Sequence, residues 1–272
     1  MADILRPVTP ASILAAKLQT IASEIASLDS IPESLRKEIE FCNILAGGLD
    51  PYLEDNSGAP STALEQLDDS TREIDWKAAF ESGQTGIELE SEMVSGKLEG
   101  QFLALLVRLL KPQRILEIGM FTGYSALAMA EALTDGATVL ACELDAYAAK
   151  VAKKAFDQSP AGERISIRVA PALETLSELA DEGETFDFVF LDADKPGYGR
   201  YYDLLLDRDL LRPGGFLAVD NTLLQGEPWT KKHPSINGRS VHRFNRKVAE
   251  DPRTEQVIVP IRDGVTLIRR AE

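Results

Sequence analysis

Little in this sequence lends itself to cross-linking, membrane insertion or nucleic-acid binding. Of 272 residues only two are cysteines, Cys42 and Cys142, and no CxxC pair joins them. A small disulfide scaffold is therefore excluded. Both lie in apolar stretches and read as buried thiols in a reduced compartment. No apolar run approaches the roughly 18 residues that a membrane-spanning helix needs. The opening MADILRPVTP lacks a basic stretch followed by an apolar one, so no secretory signal is expected and a cytoplasmic protein follows by elimination. Cations are scarce: 29 Lys and Arg face 44 Asp and Glu, a net charge of −15. The deficit sits at the front, where residues 1–95 hold 6 cationic and 18 acidic side chains. Such a chain repels phosphate backbones, which argues against nucleic acid as a partner. Repeats and low-complexity tracts are also missing. What remains is an ordinary globular composition, 44% hydrophobic and 27% charged, long enough for one large domain or a domain with an appendage.

Periodicity divides the chain in two. In residues 9–46, Ile13, Leu14, Leu18, Ile21, Ile25 and Leu28 recur at steps of three and four, as the buried face of a helix requires. Thr9 or Ser12 caps that helix. Pro32 opens a second, which Gly47 and Gly48 are expected to end. Residues 50–61 read as loop, and short helices are expected near 61–69, 74–82 and 85–94. Trp76 and Phe80, four apart, read as core anchors. A longer helix spans Gly96 to Leu110, before Pro112. From there strands and helices alternate: strands at 114–119, 137–144, 164–170, 186–193 and 214–221, helices at 124–133, 146–156, 173–180 and 201–210. That alternation predicts a doubly wound, mostly parallel α/β sheet. The chain finishes with two strands, 255–261 and 264–270, joined at Arg262 and Asp263 as a hairpin, so at least one strand runs antiparallel.

In an open α/β sheet, ligands bind at the carboxyl ends of the strands. The first such end reads Glu117-Ile118-Gly119-Met120-Phe121-Thr122-Gly123-Tyr124-Ser125. Phe121 fills the place of the middle glycine of GxGxxG, so a pyrophosphate loses its close backbone approach. That counts against a nicotinamide-dependent oxidoreductase. Adenosine without phosphates, carried as S-adenosylmethionine, fits better, with Glu143 at the next strand end able to accept both ribose hydroxyls. The fourth and fifth strands end in Leu191-Asp192-Ala193-Asp194-Lys195 and Val219-Asp220-Asn221. Asp192, Asp220 and Asn221 then present hard oxygen donors at one point, which is Mg²⁺ chemistry.

The segments ILEIGMFTGYSALAMA, LDADK, VDNTLLQG, FNRKVAEDPR and IRDGVTLIRR together resemble the cation-dependent O-methyltransferases of the caffeoyl-CoA and catechol type, over about residues 90–272. The resemblance implies a Rossmann-like class I methyltransferase fold at 93–272, a seven-stranded sheet with a C-terminal antiparallel hairpin. Residues 1–92 become a helical N-terminal extension, a lid or a dimer arm. It implies cofactor contacts from Met93, Ser95, Glu117, Gly119, Phe121, Thr122, Gly123, Ser125, Glu143, Leu144, Pro171, Ala172, Asp192, Asp194 and Tyr201. It makes Asp192, Asp220 and Asn221 the metal ligands, Lys195 the catalytic residue, and Lys195, Asn221 and Gln225 the substrate contacts. Two adjacent substrate oxygens would chelate the cation, which lowers the pKa of the hydroxyl to be methylated. Lys195 would act as base if neutral or steady the oxyanion if charged.

Two departures narrow the acceptor. Plant caffeoyl-CoA enzymes tend to carry Trp-Asn where Leu224-Gln225 stand here, which counts against a coenzyme A thioester. The AxxL-rich helices and LAGGLDPYLEDNSGAPSTAL of the extension, and then EMVSGKLEGQFL, MFTGYSALAMAEAL and VAPALETL, are similar to the cyanobacterial-type methyltransferases of mycosporine synthesis. Their substrate is a hydroxylated cyclohexenone, 2-demethyl-4-deoxygadusol, and their product 4-deoxygadusol. A catechol or caffeoyl-type phenol is the alternative acceptor. A non-catalytic binding module has no use for an open Asp192–Lys195–Asp220–Asn221 set. Lys231, Lys232, His233, Arg239, His242 and Arg243 fall in the loop expected over the substrate, and a homodimer is the expected assembly.

Overall fold

A computed structural model describes residues 8–28 and 30–272. The first seven residues of the expected extension, and of the opening stretch read for a signal, lie outside them. Helices α1 (Pro10–Ala26), α2 (Glu33–Asp55), α3 (Thr62–Arg72), α4 (Trp76–Glu81) and α5 (Gly96–Leu110) precede the sheet. Then follow β1 (Arg114–Ile118), α6 (Tyr124–Glu131), β2 (Thr138–Glu143), α7 (Ala146–Phe156), β3 (Ile165–Val169), α8 (Ala172–Asp181), β4 (Phe186–Leu191), α9 (Tyr198–Asp207) and β5 (Leu211–Val219). The chain closes with α10 (Glu227–Thr230), α11 (Ile236–Glu250), β6 (Thr254–Val259) and β7 (Val265–Arg270).

The seven strands form one sheet in the order β3-β2-β1-β4-β5-β7-β6. Only β7 is reversed, pairing antiparallel with both β5 and β6. The central strands are mostly apolar because both faces are covered. Alternate residues feed two cores. Ile115, Phe188, Phe190 and Ala218 face α5, α6 and α7, whereas Leu116, Val189, Leu191, Leu217 and Val219 face α8, α9 and α11. The expected doubly wound sheet with its terminal hairpin is therefore the observed one. Its turn is longer than expected, occupying 260–264, since Gly264 N donates to Ile261 O at 2.8 Å and Ile261 N to Val259 O at 2.9 Å.

The N-terminal half corrects several expectations. Thr9 caps α1 through a capping box with Ser12, both bonds at 3.0 Å. Yet α1 and α2 bury no residue; Ile13, Leu18 and Ile25 are half-buried and Leu14, Ile21 and Leu28 exposed. Gly47 and Gly48 do not end α2, which runs on through Pro51 to Asp55. Interior glycine costs a helix only about 1 kcal/mol, which the packing of α2 on α1 outweighs; a Cβ at Gly47 would stand at ordinary contact distance, 3.5 Å, from Ala15. Residues 85–94 form no α-helix: the chain bends at 85–87 and holds one 3₁₀ turn at Ser91–Met93. Gly86 N donates to Asp145 Oδ2 at 2.8 Å, which pins that segment across the start of α7. Cys42 is exposed rather than buried, while Cys142 is buried, and burial pushes its thiol up to about 12. Trp76 is a core anchor, but Phe80 is exposed. Among the described residues no helix is long and apolar enough to cross a membrane.

Candidate active site

The carboxyl ends of β1, β2, β4 and β5 open into one cavity of about 690 Å³. All the residues expected to contact cofactor, metal or substrate line it except Glu117 and Gly123. Gly123 has φ +86 at the start of α6, and a Cβ there would stand 2.4 Å from the Phe156 ring. At Gly119, φ is +91 and a Cβ would stand 2.5 Å from the Asp192 carbonyl oxygen. Both glycines thus serve the close approach of protein to protein around the loop, and only Gly119 also reaches the cavity.

The loop is held from three sides. Gly119 N and Met120 N donate to Cys142 O at 3.0 and 3.2 Å. Phe121 N donates to Glu143 Oε2 at 2.6 Å, and Leu144 N and Asp145 N donate to Glu143 Oε1 at 2.9 and 2.8 Å. Burial raises the Glu143 pKa and those three backbone donors oppose the rise. Oε1 thus has both lone pairs engaged, and Oε2 keeps one for a hydroxyl. The Phe121 ring packs on Trp76 of α4 at a centroid distance of 4.9 Å, and Thr122 accepts a hydrogen bond from Thr71 of α3 at 2.9 Å. Helices α3 and α4 therefore brace the cofactor loop. Glu117 lies beneath it, wholly buried, accepting from Ser125 Oγ. Burial, opposed by that hydrogen bond and reinforced by Asp192 and Glu143, lifts its pKa to about 8.

On the neighbouring strand ends, Lys195 Nζ donates to Asp192 Oδ1 at 2.7 Å and to Ala193 O at 3.2 Å. It also sits 5.2 Å from the centroid of the Tyr198 ring. Burial opposes its charge, but the Asp192 carboxylate, then Tyr198 and Asp220, push its pKa well above the ordinary lysine value. Tyr201 donates to Asp194 Oδ1. Asp220 N donates to Leu191 O at 3.0 Å, and its carbonyl accepts from Tyr198 at 2.9 Å, which fixes the backbone at the end of β5. Burial first, then Asp192, raises the Asp220 carboxyl to about 7 against the pull of Lys195 and Arg262.

Asp220 Oδ1 is buried without a hydrogen-bond partner. An orphaned carboxylate oxygen is costly unless something meets it. Asp192 supplies a second carboxylate, and Asn221, at φ +54, an amide in the same cavity. These hard oxygen donors fit a divalent cation such as Mg²⁺. Among the described residues no three or more His, Cys, Asp or Glu side chains gather at ligating distance, so such a site would hold two carboxylates and an amide.

Reading the sequence missed part of the wall. Because β7 runs against β5, pairing Thr266 with Val219, the β6–β7 turn returns to the carboxyl edge. There Arg262 and Asp263 line the cavity, as do Glu99 of α5, Asn237 of α11, and Val8 and Thr9 at the head of α1. Thr222 N and Oγ1 both donate to Gly264 O, at 2.9 and 3.0 Å, and Gln225 N donates to Asp263 Oδ1, tying the post-β5 loop to that turn. The reversed strand was the available signal. Lys231, Lys232, His233, Arg239, His242 and Arg243, expected over the substrate, do not line the cavity. His242 and Arg243 edge a separate open depression on α11 with Arg246, Lys247, Glu250 and Asp251.

Comparison with known proteins decides the family. The model of the O-methyltransferase family matches residues 81–271. The chain belongs to this family. It is 37% identical over 187 residues to the caffeoyl-CoA O-methyltransferase of Petroselinum crispum, covering 65% of this chain and 77% of the relative. It is 40% identical over 171 residues to the catechol O-methyltransferase domain-containing protein 1 of Mus musculus, covering 62% of this chain and 64% of that one. The solved structure of an SAH-bound methyltransferase from Podospora anserina superposes with a TM-score of 0.70 at 28% identity, over 90% of this chain and 99% of that one. The protein is an S-adenosylmethionine-dependent O-methyltransferase on a Rossmann-like sheet.

Proposed function

We propose that this O-methyltransferase is cation-dependent and moves a methyl group from S-adenosylmethionine to one hydroxyl of a vicinal-oxygen cyclohexenone, converting 2-demethyl-4-deoxygadusol to 4-deoxygadusol. The observation that carries the metal reading is the unpartnered, buried Asp220 Oδ1 beside the Asp192–Lys195 pair, in the same cavity as the β1 and β2 loops. Asp192, Asp220 and Asn221 would hold the cation. When bound, it supplies a Lewis acid that favours the ionised form of the acceptor hydroxyl. The remaining work falls to the chain. Glu143 orients the ribose of the donor through the free lone pair of Oε2, and Met93 and Ser95 cover it. Once the acceptor hydroxyl has given its proton to solvent water, Lys195 Nζ, kept charged by Asp192, donates a hydrogen bond to that oxygen and holds it as an oxyanion. Alignment of that oxygen with the sulfonium methyl supplies much of the rate.

The choice of acceptor is supported by the extension. Val8 and Thr9 of the extension line the cavity, as do Met93, Val94, Ser95 and Glu99 of EMVSGKLEGQFL, a segment that resembles the mycosporine-pathway enzymes. A catechol or caffeoyl-type phenol is the second reading, favoured by the Petroselinum crispum and Mus musculus relatives. We also propose that the enzyme works in the cytoplasm as a homodimer, its twofold covering the exposed apolar face of α1 and α2.

The test is mass-spectrometric detection of methyl transfer to 2-demethyl-4-deoxygadusol with Mg²⁺ and then with EDTA. A methylated product that disappears with EDTA supports both substrate and cation. Turnover that survives EDTA discards the cation, and methylation of a catechol alone discards the cyclohexenone.

A further inference from the structure

Two residues of the cavity wall have no part in the chemistry above. Glu99 stands in the first turn of α5 with 1% of its surface exposed, and Arg262 in the β6–β7 turn at φ +48. Glu99 Oε2 lies 3.6 Å from Arg262 Nη1, and Glu99 Oε1 is buried with no hydrogen-bond partner. Arg262 Nη1 donates to Val94 O at 3.2 Å, and a guanidinium carries five N–H donors. A buried acceptor in want of a donor thus stands beside a donor-rich cation, and both border the space shared by Lys195, Asp220 and Asn221.

We propose that Glu99 and Arg262 form a second recognition pole, which selects an acceptor carrying a neutral hydroxyl outside its pair of vicinal oxygens. Glu99 Oε1 accepts that hydroxyl's O–H, and the Arg262 guanidinium donates to its oxygen. Only a group that is donor and acceptor at once satisfies both partners. An ammonium meets Arg262 as a like charge, and a methyl leaves both partners unmatched. The pole rests on the reading of the site as methyl transfer to a ring with vicinal oxygens, and it deepens that reading by setting a polyhydroxylated ring apart from a flat phenol.

The test is calorimetric titration of the Mg²⁺- and SAH-loaded enzyme with matched catechols. Each pair has the same vicinal oxygens and differs in one oxygen: 3- or 4-methylcatechol against the corresponding hydroxymethylcatechol. The wild type is expected to bind one hydroxymethyl compound at least about tenfold tighter than its methyl partner. Glu99→Met is expected to erase that ratio. The double variant Glu99→Met/Arg262→Met leaves no orphaned buried charge and is expected to fold, to lose the ratio, and to keep the methylcatechol affinity within about threefold. Affinity for Mn²⁺, titrated separately, is expected to stay unchanged. Equal or absent binding of both members by the wild type overturns the pole, as does a double variant that retains the preference. A variant that loses Mn²⁺ affinity instead assigns Glu99 to the cation and also overturns it. A preference that is present and then lost, with no turnover of 2-demethyl-4-deoxygadusol, supports the pole and removes only that substrate.

Discussion

Ile115 and Leu116 in β1 are wholly buried, whereas Ile44 and Leu45 in α2 are 65% and 66% exposed. Both pairs belong to segments whose apolar residues recur with the period of their element. In the sheet, the two-residue alternation finds a helical layer on each side and two cores result. In the α1–α2 pair, the helices pack on each other, touch the turn at Leu224–Gly226, and leave Phe41, Leu49 and Tyr52 open as well. Periodicity reports that an element has an apolar face; it says nothing of what covers it. Between these extremes, α3 and α4 precede the sheet in sequence but belong to it in packing, through Trp76 on Phe121 and Thr71 on Thr122. The boundary that matters energetically therefore falls near residue 60, well before Met93, where the resemblance begins the methyltransferase domain.

The contrast can be broken first at the catalytic end. Asp220→Ala is expected to cost at least about 3 kcal/mol of transition-state stabilisation, over 100-fold in kcat/KM with Mg²⁺, while its melting temperature changes little. Full activity without added cation would remove Asp220 from the metal role. Trp76→Ala attacks the join. Losing the stack on Phe121 and Tyr147 is expected to cost about 3–5 kcal/mol in urea unfolding and to weaken S-adenosylmethionine binding. A variant that is destabilised but binds the donor normally would separate α4 from the loop.

Glu117 gives a pH-dependent version of the same test. Burial raises its pKa from the ordinary value to about 8, so the native state holds its proton more tightly than the unfolded chain. Unfolding between about pH 4.5 and 8 then releases a proton, and the contribution of Glu117 to stability falls as pH rises through that window. Glu117→Gln is expected to flatten the decline in urea-denaturation free energy between pH 6 and 9. An unchanged slope would place the proton elsewhere. Removing residues 1–60 is expected to leave the sheet folded while raising the acceptor KM several-fold, because Val8 and Thr9 leave the cavity wall. The smallest effect belongs to the open face. Phe41→Ser with Leu45→Ser is expected to change unfolding free energy by no more than about 0.5 kcal/mol per site in a monomer. A larger, concentration-dependent loss of melting temperature would show that a second copy covers it.

Most of the sheet was legible. Helices at 96–110 and 146–156 and every strand lie within a few residues of where alternation puts them, because a strand buried on both faces announces itself by composition. The continuation of α2 through Gly47, Gly48 and Pro51 was not legible, since propensity yields there to the packing of α2 on α1. The non-helical run at 85–90 depends on Asp145, about 60 residues away in sequence. In the site, Asp192, Lys195, Asp220 and Asn221 declare themselves by standing at strand ends. Glu99 and Arg262 do not, because a first-turn carboxylate and a hairpin arginine have sufficient local explanations. Only the reversed direction of β7 carries Arg262 back to the cavity.

That reversal also bears on how the enzyme is made. β7 follows β6 in the sequence, yet it lies between β5 and β6. During translation β6 emerges before β7, its partner in the sheet. Until β7 inserts beside β5, no strand pairing joins β6 to the sheet, and the turn that ties Asp263 to Gln225 is unanchored at its far end. That wall of the cavity therefore forms as a unit, strand, turn and strand together.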